Sequence, residues 1–229
     1  MQISEIFRSC QGEGVRAGLR TIFVRLQGCN LYPNGCSFCD TKYAQSDGGR
    51  RIDVLDVVSE IKRLSNGRKA VEITGGEPLY QVSELCDLVD RLKFHDYFIE
   101  VFTNSTLKPP TFYFLVDSWV ADIKCPSSGA SGACLVDAWF DVLRETDCVK
   151  FVVESVTDLT YVEKVLSSRG CDAQVLISPM IPNCPDSLLG EVLMSHRKWL
   201  QAVWEFCVEH DYRFSFQMHK LVYGNRSGV

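Results

Sequence analysis

Residues 20–39 read Arg20-Thr-Ile-Phe-Val-Arg-Leu-Gln-Gly-Cys29-Asn-Leu-Tyr-Pro-Asn-Gly-Cys36-Ser-Phe-Cys39, a short apolar run that leads directly into a loop with three cysteines. The run 20–27 has the length and the branched and aromatic content of a buried β-strand. The loop places three thiol groups within eleven residues. A strand followed at once by potential metal ligands predicts a fold in which loops at strand ends carry the chemistry.

Short apolar runs alternate with amphipathic helical segments along the whole chain. Strands are predicted at 20–27, 70–74, 97–103, 118–123, 148–154, 174–178 and 213–218, and helices at 54–64, 82–92, 136–144, 158–168 and 188–210. Nearly continuous apolar strands between helices are typical of βαβ units and of a parallel sheet that is buried on both faces. The pattern predicts a single α/β domain over residues 1–229, with six or seven parallel strands that close partly into a barrel.

Composition and charge narrow the possible partners. The 229 residues are 46% hydrophobic and carry a formal net charge of −5, with no basic tract of the kind that binds phosphate backbones. No apolar run approaches the ~20 residues that cross a bilayer, and residues 1–5 do not resemble the start of a signal peptide. We therefore expect a cytoplasmic protein with neither a nucleic acid nor a membrane as its partner.

The cysteines are of two kinds. Eleven cysteines are many for such a chain, and an odd number does not suit a secreted disulfide framework. Cys86, Cys148 and Cys207 lie in apolar periodic segments, where a small buried hydrophobe is the usual role. The three cysteines of the loop need a chemical explanation instead.

The three-cysteine loop fits an iron–sulfur cluster better than a structural zinc ion. A structural zinc site normally closes with four ligands in two separated pairs, whereas this loop offers one Cys-x-x-Cys pair, Cys36 and Cys39, and the outlying Cys29. Three thiolates on a four-iron cluster leave one iron open to a small molecule. From the loop alone, a zinc site and a loop without metal remain open alternatives.

The next strand ends in a second informative loop, Glu72-Ile-Thr74-Gly-Gly76-Glu77-Pro78. Glycines let the backbone approach a ligand closely, and a carboxylate can accept a hydrogen bond from an ammonium group. An ordinary tight turn would explain a Gly-Gly pair by itself. Because parallel strands end at the same edge of a sheet, the two loops are expected to form one site.

Taken together, the cysteine loop and the Gly-Gly-Glu-Pro segment resemble the radical S-adenosylmethionine superfamily. There, three cysteines hold a 4Fe–4S cluster whose open iron chelates the amino acid part of S-adenosylmethionine, and the Gly-Gly-Glu segment holds its amino group. The usual loop has three residues between its first two cysteines, whereas this chain has six. The resemblance implies a partial parallel βα barrel with the cluster loop at the carboxyl ends of the strands.

The resemblance extends to the 7-carboxy-7-deazaguanine synthase family of the 7-deazapurine (queuosine) pathway, and it runs from the first predicted strand to the C-terminus. It is carried by Gln11-Gly-Glu-Gly14, Phe23-Val-Arg-Leu-Gln-Gly-Cys29, Cys39-Asp-Thr41, Thr74-Gly-Gly-Glu-Pro-Leu79, Asp122-Ile-Lys-Cys-Pro126 and Gln217-Met-His-Lys220. No single segment is decisive, but their order and spacing are specific.

This resemblance implies a lyase that contracts 6-carboxy-5,6,7,8-tetrahydropterin to 7-carboxy-7-deazaguanine with loss of ammonia. A reduced cluster would cleave S-adenosylmethionine to a 5′-deoxyadenosyl radical, which takes a hydrogen from C6 of the pterin, and the family regenerates S-adenosylmethionine at the end of the cycle. The implied partners are the pterin, an electron donor such as a flavodoxin or ferredoxin, and a second copy of the chain in a homodimer.

Site residues follow from the resemblance position by position. The substrate would be contacted by Cys10, Gln11, Gly12, Arg25 and Thr74, with Arg25 at its carboxylate. The cofactor would be contacted by Phe38, Asp40, Gly76, Glu77, Asp122, Lys124, Pro179 and Met180. The metal ligands would be Cys29, Cys36 and Cys39 for the cluster and Thr41 for a Mg²⁺ ion near the substrate carboxylate. A salt bridge is the alternative role for Arg25, because an arginine within an apolar strand needs a buried acidic partner.

The last predicted strand ends in His219 and Lys220. For these two residues, a solvated pair at a strand end is the alternative to a role in the site. Two features depart from the family. Phe102-Thr-Asn-Ser105 stands where the family has Glu-Thr-Asn-Gly, so a cofactor contact there is expected to differ. The tail 223–229 would cover the substrate or support a dimer contact.

Two rival classes remain. A glycyl-radical activase shares the barrel and the cluster loop, but it should lack the Gln-Gly-Glu-Gly opening and would act on a protein. A zinc- or cluster-bearing binding module would show no turnover, and a zinc protein would be colourless rather than brown.

Overall fold

The computed structural model describes residues 1–224 together with Arg226 and Gly228. In this part of the chain nine strands lie in one sheet, in the order β3-β1-β2-β4-β5-β6-β7-β8-β9. The strands are β1 Gln2–Cys10, β2 Arg20–Leu26, β3 Arg50–Arg51, β4 Ala70–Gly75, β5 Phe98–Thr103, β6 Ser118–Asp122, β7 Cys148–Val153, β8 Gln174–Pro179 and β9 Arg213–Phe214.

The sheet is parallel from β2 to β9 and does not close, which confirms the predicted partial βα barrel. Two strands were not predicted. β1 pairs antiparallel with β2, and the two-residue β3 pairs antiparallel with β1. Most side chains of β1 are only partly buried, so this strand lacks the continuous apolar run that marks the parallel strands.

The helices between the strands are α1 Val54–Ser65, α2 Val82–Phe94, α3 Val136–Phe140, α4 Val156–Ser168, α5 Leu189–Ser195, α6 Arg197–His210 and α7 Met218–Tyr223. The segment 188–210, predicted as one helix, forms α5 and α6 with His196 between them. Within the described residues no helix is both long and apolar enough to cross a membrane.

His219 and Lys220 do not end a strand, so that prediction was wrong. The pairing of β9 ends after Phe214, and the chain then turns toward the hairpin between β1 and β2. There the backbone N–H of Met218 donates to the carbonyl of Gly12 over 3.0 Å, and α7 begins. A hydrogen bond to the hairpin thus replaces the sheet pairing that a longer β9 would have made.

The hydrophobic core lies between the sheet and its helices. Ile61 of α1 and Leu85, Leu88 and Leu92 of α2 are fully buried against the central strands. The N-terminus of α1 is fixed by Asp53, whose carboxylate accepts from the N–H of Leu55 over 2.9 Å. Packing of this kind holds β2, β4 and β5 rigidly, and the loops that follow these strands build the site.

Candidate active site

One open cavity of about 260 Å³ lies at the carboxyl ends of the parallel strands. Almost all the residues predicted for the site line it. They are Cys10, Gln11, Gly12, Arg25, Cys29, Cys36, Phe38, Cys39, Asp40, Thr41, Thr74, Gly76, Asp122, Lys124 and Met180. His219 and Lys220 line the cavity as well. The fold therefore brings residues from distant parts of the sequence to a single place.

The three cysteines of the loop face this cavity as free thiols. Burial raises the pKa of Cys29 and of Cys36, and binding to iron would offset that penalty because a metal-bound thiol is deprotonated. Within the described residues no three His, Cys, Asp or Glu side chains converge on a point that could hold a single ion. A 4Fe–4S cluster needs no such common point, because each thiolate binds a different iron.

Hydrogen bonds to a neighbouring loop fix the cysteine loop. Ser37, between Cys36 and Phe38, donates from its backbone N–H to the carbonyl of Ser128 over 3.0 Å and from its hydroxyl to that of Ser127 over 2.8 Å. The backbone N–H of Ser127 in turn donates to the carboxylate of Asp158, which also caps α4. The capped helix, the loop after β6 and the cysteine loop thus hold one another in place.

The glycine pair after β4 passes directly against the cysteine loop. A Cβ atom on Gly76 would lie 2.3 Å from the carbonyl oxygen of Gly28, so no larger residue fits there without moving the backbone. The backbone N–H of Gly76 donates to Leu26 over 3.1 Å, and that of Glu77 donates to Gly28 over 2.9 Å. Gly76 therefore sets the distance between the end of β4 and the loop that carries Cys29.

Glu77 is fully buried and lies behind the cavity wall rather than on it. Its Oε1 accepts hydrogen bonds from the N–H of Leu79 (2.9 Å) and the hydroxyl of Thr103 (2.8 Å), and its Oε2 accepts from the N–H of Asn104 (2.7 Å). Burial raises the pKa of Glu77 although these bonds oppose the shift. The carboxylate joins the ends of β4 and β5, so a direct contact with the cofactor stays a prediction. Pro179 is likewise absent from the residues that line the cavity.

An ion pair between Asp122 and Lys124 stands beside Cys36. The ammonium group of Lys124 lies 2.9 Å from Oδ2 of Asp122. Burial alone would lower the pKa of Lys124, but Asp122 and the Cys36 thiol raise it above its ordinary value, so the side chain is charged. Oδ1 of Asp122 is buried and has no hydrogen-bond partner in the described part of the chain. A bound cofactor with an N–H or O–H donor would satisfy this oxygen.

Arg25 lies on the cavity wall and also has an acidic partner, the partly buried Glu5. Its Nε donates to Oε1 of Glu5 over 2.6 Å, and the hydroxyl of Tyr43 donates to the same oxygen over 2.7 Å. Burial would lower the pKa of Arg25, but Tyr43 and Glu5 more than offset it, so the guanidinium stays charged. The arginine is thus oriented by Glu5 while it faces the cavity.

Charged residues of the cavity that sequence reasoning did not assign include Glu13 and Lys150. The buried carboxylate of Glu13 pairs with the ammonium group of Lys150. Burial would raise the pKa of Glu13, but Lys150 and His219 lower it, so the carboxyl is ionised. Lys150 lies within the apolar strand β7, and a lysine at such a position signals an inward-facing partner, as for Arg25.

A second group of charges joins the cysteine loop to α7. Oδ2 of Asp40 lies 3.9 Å from Nε2 of His219 and 3.8 Å from Nζ of Lys220. Burial would raise the pKa of Asp40, but both neighbours hold it well below its usual range. The tail 223–229 is expected to cover the substrate or to support a dimer contact. Three of its residues, Asn225, Ser227 and Val229, lie outside the described residues. Arg226 and Gly228 line the cavity.

Three comparisons relate this chain to known proteins. Residues 10–109 match the model of a family described as a 4Fe-4S single cluster domain. The chain is 42% identical over 180 residues to the 7-carboxy-7-deazaguanine synthase of Methanospirillum hungatei, and the aligned region covers 79% of this chain and 73% of that protein. It is 32% identical over 226 residues to the 7-carboxy-7-deazaguanine synthase of Koribacter versatilis, with 97% of each chain covered.

The fold is also similar to a solved structure. The crystal structure of QueE from Escherichia coli matches with a TM-score of 0.65 over 95% of this chain and 93% of that chain, at 23% sequence identity. At that identity the likeness shows the fold. The two sequence relatives and the cluster-domain match carry the information on chemistry.

Proposed function

The chain belongs to the 7-carboxy-7-deazaguanine synthase family, and from this premise we propose how its own residues carry out the reaction. The enzyme is a radical S-adenosylmethionine lyase of 7-deazapurine biosynthesis, which converts 6-carboxy-5,6,7,8-tetrahydropterin to 7-carboxy-7-deazaguanine with release of ammonia. The observation that carries the proposal is that the three cysteines and the residues expected at the substrate line one cavity.

Cys29, Cys36 and Cys39 hold the 4Fe–4S cluster in this proposal. When bound, the cluster and S-adenosylmethionine supply the electron and the organic radical with which the rearrangement begins. The protein positions the cluster, the cofactor and the substrate, and it excludes water from the site. Asn104 places an amide donor 3.7 Å from the sulfur of Cys29, and the bonds of Ser37 fix the other half of the loop.

Asp122, Lys124, Gly76, Phe38 and Met180 form the pocket for S-adenosylmethionine. The buried Oδ1 of Asp122, which has no partner among the described residues, is an acceptor that a hydroxyl or amino group of the cofactor can use. Lys124 holds the other oxygen of Asp122, which fixes the direction of the free one. Gly76 lines the cavity, and its lack of a side chain lets the end of β4 lie against the loop that carries Cys29.

The substrate lies on the other side of the cavity, toward β1 and β2. Arg25, oriented by Glu5, pairs with the substrate carboxylate, and a planar guanidinium can do so through two parallel hydrogen bonds. The hairpin residues Cys10, Gln11 and Gly12 and Thr74 of β4 contact the pterin ring. A Mg²⁺ ion at Thr41 would offset the remaining charge of the carboxylate, with substrate and water as its other ligands.

Three further features complete the proposal. A reduced cluster requires an external one-electron donor, such as a flavodoxin or ferredoxin. A homodimer is supported by exposed apolar residues beside the short edge strand β9, since Trp204 and Val208 of α6 are 58% and 71% exposed. The free thiols of Cys29, Cys36 and Cys39 favour a reducing compartment such as the cytoplasm, and the continuous core from Met1 to Cys207 supports one domain over residues 1–229.

An anaerobic product assay tests this function. Reconstituted protein is incubated with the carboxytetrahydropterin, S-adenosylmethionine, Mg²⁺ and dithionite, and the products are identified by mass spectrometry. We expect 7-carboxy-7-deazaguanine and one equivalent of ammonia, and protein without cluster should form neither. Cleavage of S-adenosylmethionine with no consumption of the pterin would show that another substrate is the natural one.

A further inference from the structure

One row of side chains crosses the sheet beneath the substrate side of the cavity. Phe7 on β1 pairs with Phe23 on β2, Phe23 pairs with Glu72 on β4, and Glu72 pairs with Glu100 on β5. Residues paired between adjacent strands point to the same face of a sheet. Phe7, Phe23 and Glu72 line the cavity, and Glu100 lies behind them.

The two glutamates of this row are buried without a cation of their own. Glu72 and Glu100 are 5% and 2% exposed, and neither forms an ion pair within the described residues. Both accept a hydrogen bond from the same neutral donor, Nε2 of Gln11, which lies 3.2 Å from Oε2 of Glu100 and closer to Oε2 of Glu72. In the described chain no hydrogen bond engages Oε1 of Glu72. The pair is therefore short of donors on the side that faces the cavity.

The pKa values of the two glutamates agree with this shortage of hydrogen-bond donors. Burial raises the pKa of Glu100 to about 7, and burial together with Glu100 raises the pKa of Glu72 well above its ordinary value. Arg25 opposes the shift of Glu72 but is itself bonded to Glu5. A ligand that brings N–H donors to Glu72 would stabilise the ionised carboxylate. Such unbalanced acids are costly in a core and are typical of binding sites.

The shape of the row fits a flat ring. The rings of Phe7 and Phe23 stack with their centroids 5.0 Å apart at an interplanar angle of 8°, and Phe102 lines the same cavity. A carboxylate at the end of an aromatic wall presents two coplanar oxygens. This arrangement matches two adjacent N–H donors on the edge of a planar heterocycle, in the way that a carboxylate matches a guanidinium.

The spacing along the strands matches a bicyclic substrate. Arg25 pairs with Thr74 in the next row on the same face, two residues beyond Phe23 and Glu72 toward the carboxyl ends. Two residues along a strand correspond to about 7 Å. A ring system whose carboxylate meets Arg25 can therefore extend its opposite end down to Glu72.

We propose that Glu72 is the specificity-determining acceptor for the 2-amino-4-oxopyrimidine edge of the pterin, with Gln11 and Glu100 as positioning residues. The inference rests on the proposed function and deepens it, because it names the group that distinguishes a pterin from other carboxylated bicyclic rings. The two oxygens of Glu72 accept from the 2-amino group and the adjacent ring N–H, and Oε2 also keeps its hydrogen bond from Gln11. Glu100 keeps the Gln11 amide turned toward Glu72.

A matched pair of ligands tests the proposal. 6-Carboxypterin has the 2-amino group, whereas 6-carboxylumazine has an oxygen at that position. Binding of each to the reconstituted holoenzyme is measured by calorimetry in the absence of reductant, for the wild type and for Glu72→Gln. Because a buried bidentate contact is lost with the lumazine, the wild type should prefer the pterin by roughly 10-fold to 100-fold. Glu72→Gln should abolish or reverse this preference, because its amide can donate to the oxygen of the lumazine.

Turnover gives a second readout. Glu72→Gln should raise KM for the carboxytetrahydropterin by roughly 10-fold or more, with a smaller loss of kcat, and Glu100→Gln should have a weaker effect on KM. The surface variant Glu60→Gln on α1 is the control and should match the wild type. Equal binding of the two ligands by the wild type, or an unchanged preference in Glu72→Gln, would overturn the proposal even if the first variant proved unstable. A wild type that binds neither ligand and forms no product would instead contradict the proposed function.

Discussion

The side-chain amide of Asn104 donates a hydrogen bond to the sulfur of Cys29, with 3.7 Å between Nδ2 and Sγ. The backbone N–H of the same asparagine donates to the buried Glu77, so the amide is held by the joined ends of β4 and β5. Donors to a ligand sulfur stabilise the reduced and more negative state of an iron–sulfur cluster. In the proposed cluster site, Asn104 therefore connects the Gly-Gly-Glu segment to the redox properties of the cluster.

Replacing Asn104 with Ala should lower the midpoint potential of the cluster, because one donor to the Cys29 sulfur is lost. The potential is followed by an electron paramagnetic resonance titration of reconstituted protein. Thr106→Val is a matched control, since Thr106 bonds to Asn104 and Asn30 but not to the sulfur. A potential that shifts equally in both variants would mean that loop packing, rather than the bond to sulfur, sets the value.

Arg25→Lys should raise KM for the pterin by roughly 10-fold, because a lysine lacks the two parallel donors that match a carboxylate. The kinetics are measured at substrate concentrations below the wild-type KM. Reductive cleavage of S-adenosylmethionine without substrate should persist, since Arg25 faces the substrate side. Unaltered turnover at low substrate would show that the arginine only pairs with Glu5.

Much of the fold could be predicted from the sequence, because β2 and β4–β8 are buried on both faces and therefore form continuous apolar runs. Their predicted bounds agree with the structure to within one residue at each end. The half-buried β1 has no such run, and the pairing of β9 ends at a turn fixed by the distant Gly12. The division between α5 and α6 at His196 is marked by neither proline nor glycine at that position.

The three cysteines proposed to hold the cluster could be singled out because their spacing is local. Glu72 and Lys150 were not assigned, although a charged residue within an apolar strand carries the same signal that identified Arg25. What the sequence could not supply was the register that places Glu72 beside Glu100 and Phe23. The burial of Glu77 behind the wall likewise depends on long-range bonds to Thr103 and Asn104.

Mg²⁺ should stimulate turnover, and Thr41→Ala should reduce that stimulation more than it reduces S-adenosylmethionine binding. The Thr41 hydroxyl lies on the cavity wall, 3.6 Å from the Cys39 sulfur. A hard ion with few protein ligands should bind weakly alone and tightly with the substrate carboxylate. The test is the rate of chelator-treated enzyme with and without added Mg²⁺. Full activity of the metal-free enzyme would remove the proposed role of Thr41.

Glu100→Gln should flatten the dependence of folding stability on pH. The pKa of Glu100 rises from 4.5 to about 7 on folding, so between these values the native state holds a proton that the unfolded state has released. Stability therefore falls as pH rises through this window and stays reduced above it. At pH 8 the variant should exceed the wild type by roughly 1–3 kcal/mol, and at pH 4 the two should be similar. Denaturant titrations at several pH values measure the difference, and parallel curves for the two proteins would contradict this assignment.

The central claim is that three cysteines hold one cluster that drives the radical reaction, and comparing Cys36→Ala with Cys86→Ala tests it most directly. Both proteins are reconstituted anaerobically, and iron content and 5′-deoxyadenosine formation from S-adenosylmethionine are measured together. Cys86 lies on α2 away from the cavity, so its loss should cost under ~2 kcal/mol of stability and leave iron and cleavage at wild-type levels. Cys36→Ala should lose both the cluster and the cleavage, because the loop then offers two thiolates instead of three. Full iron content with wild-type cleavage in Cys36→Ala would contradict the account.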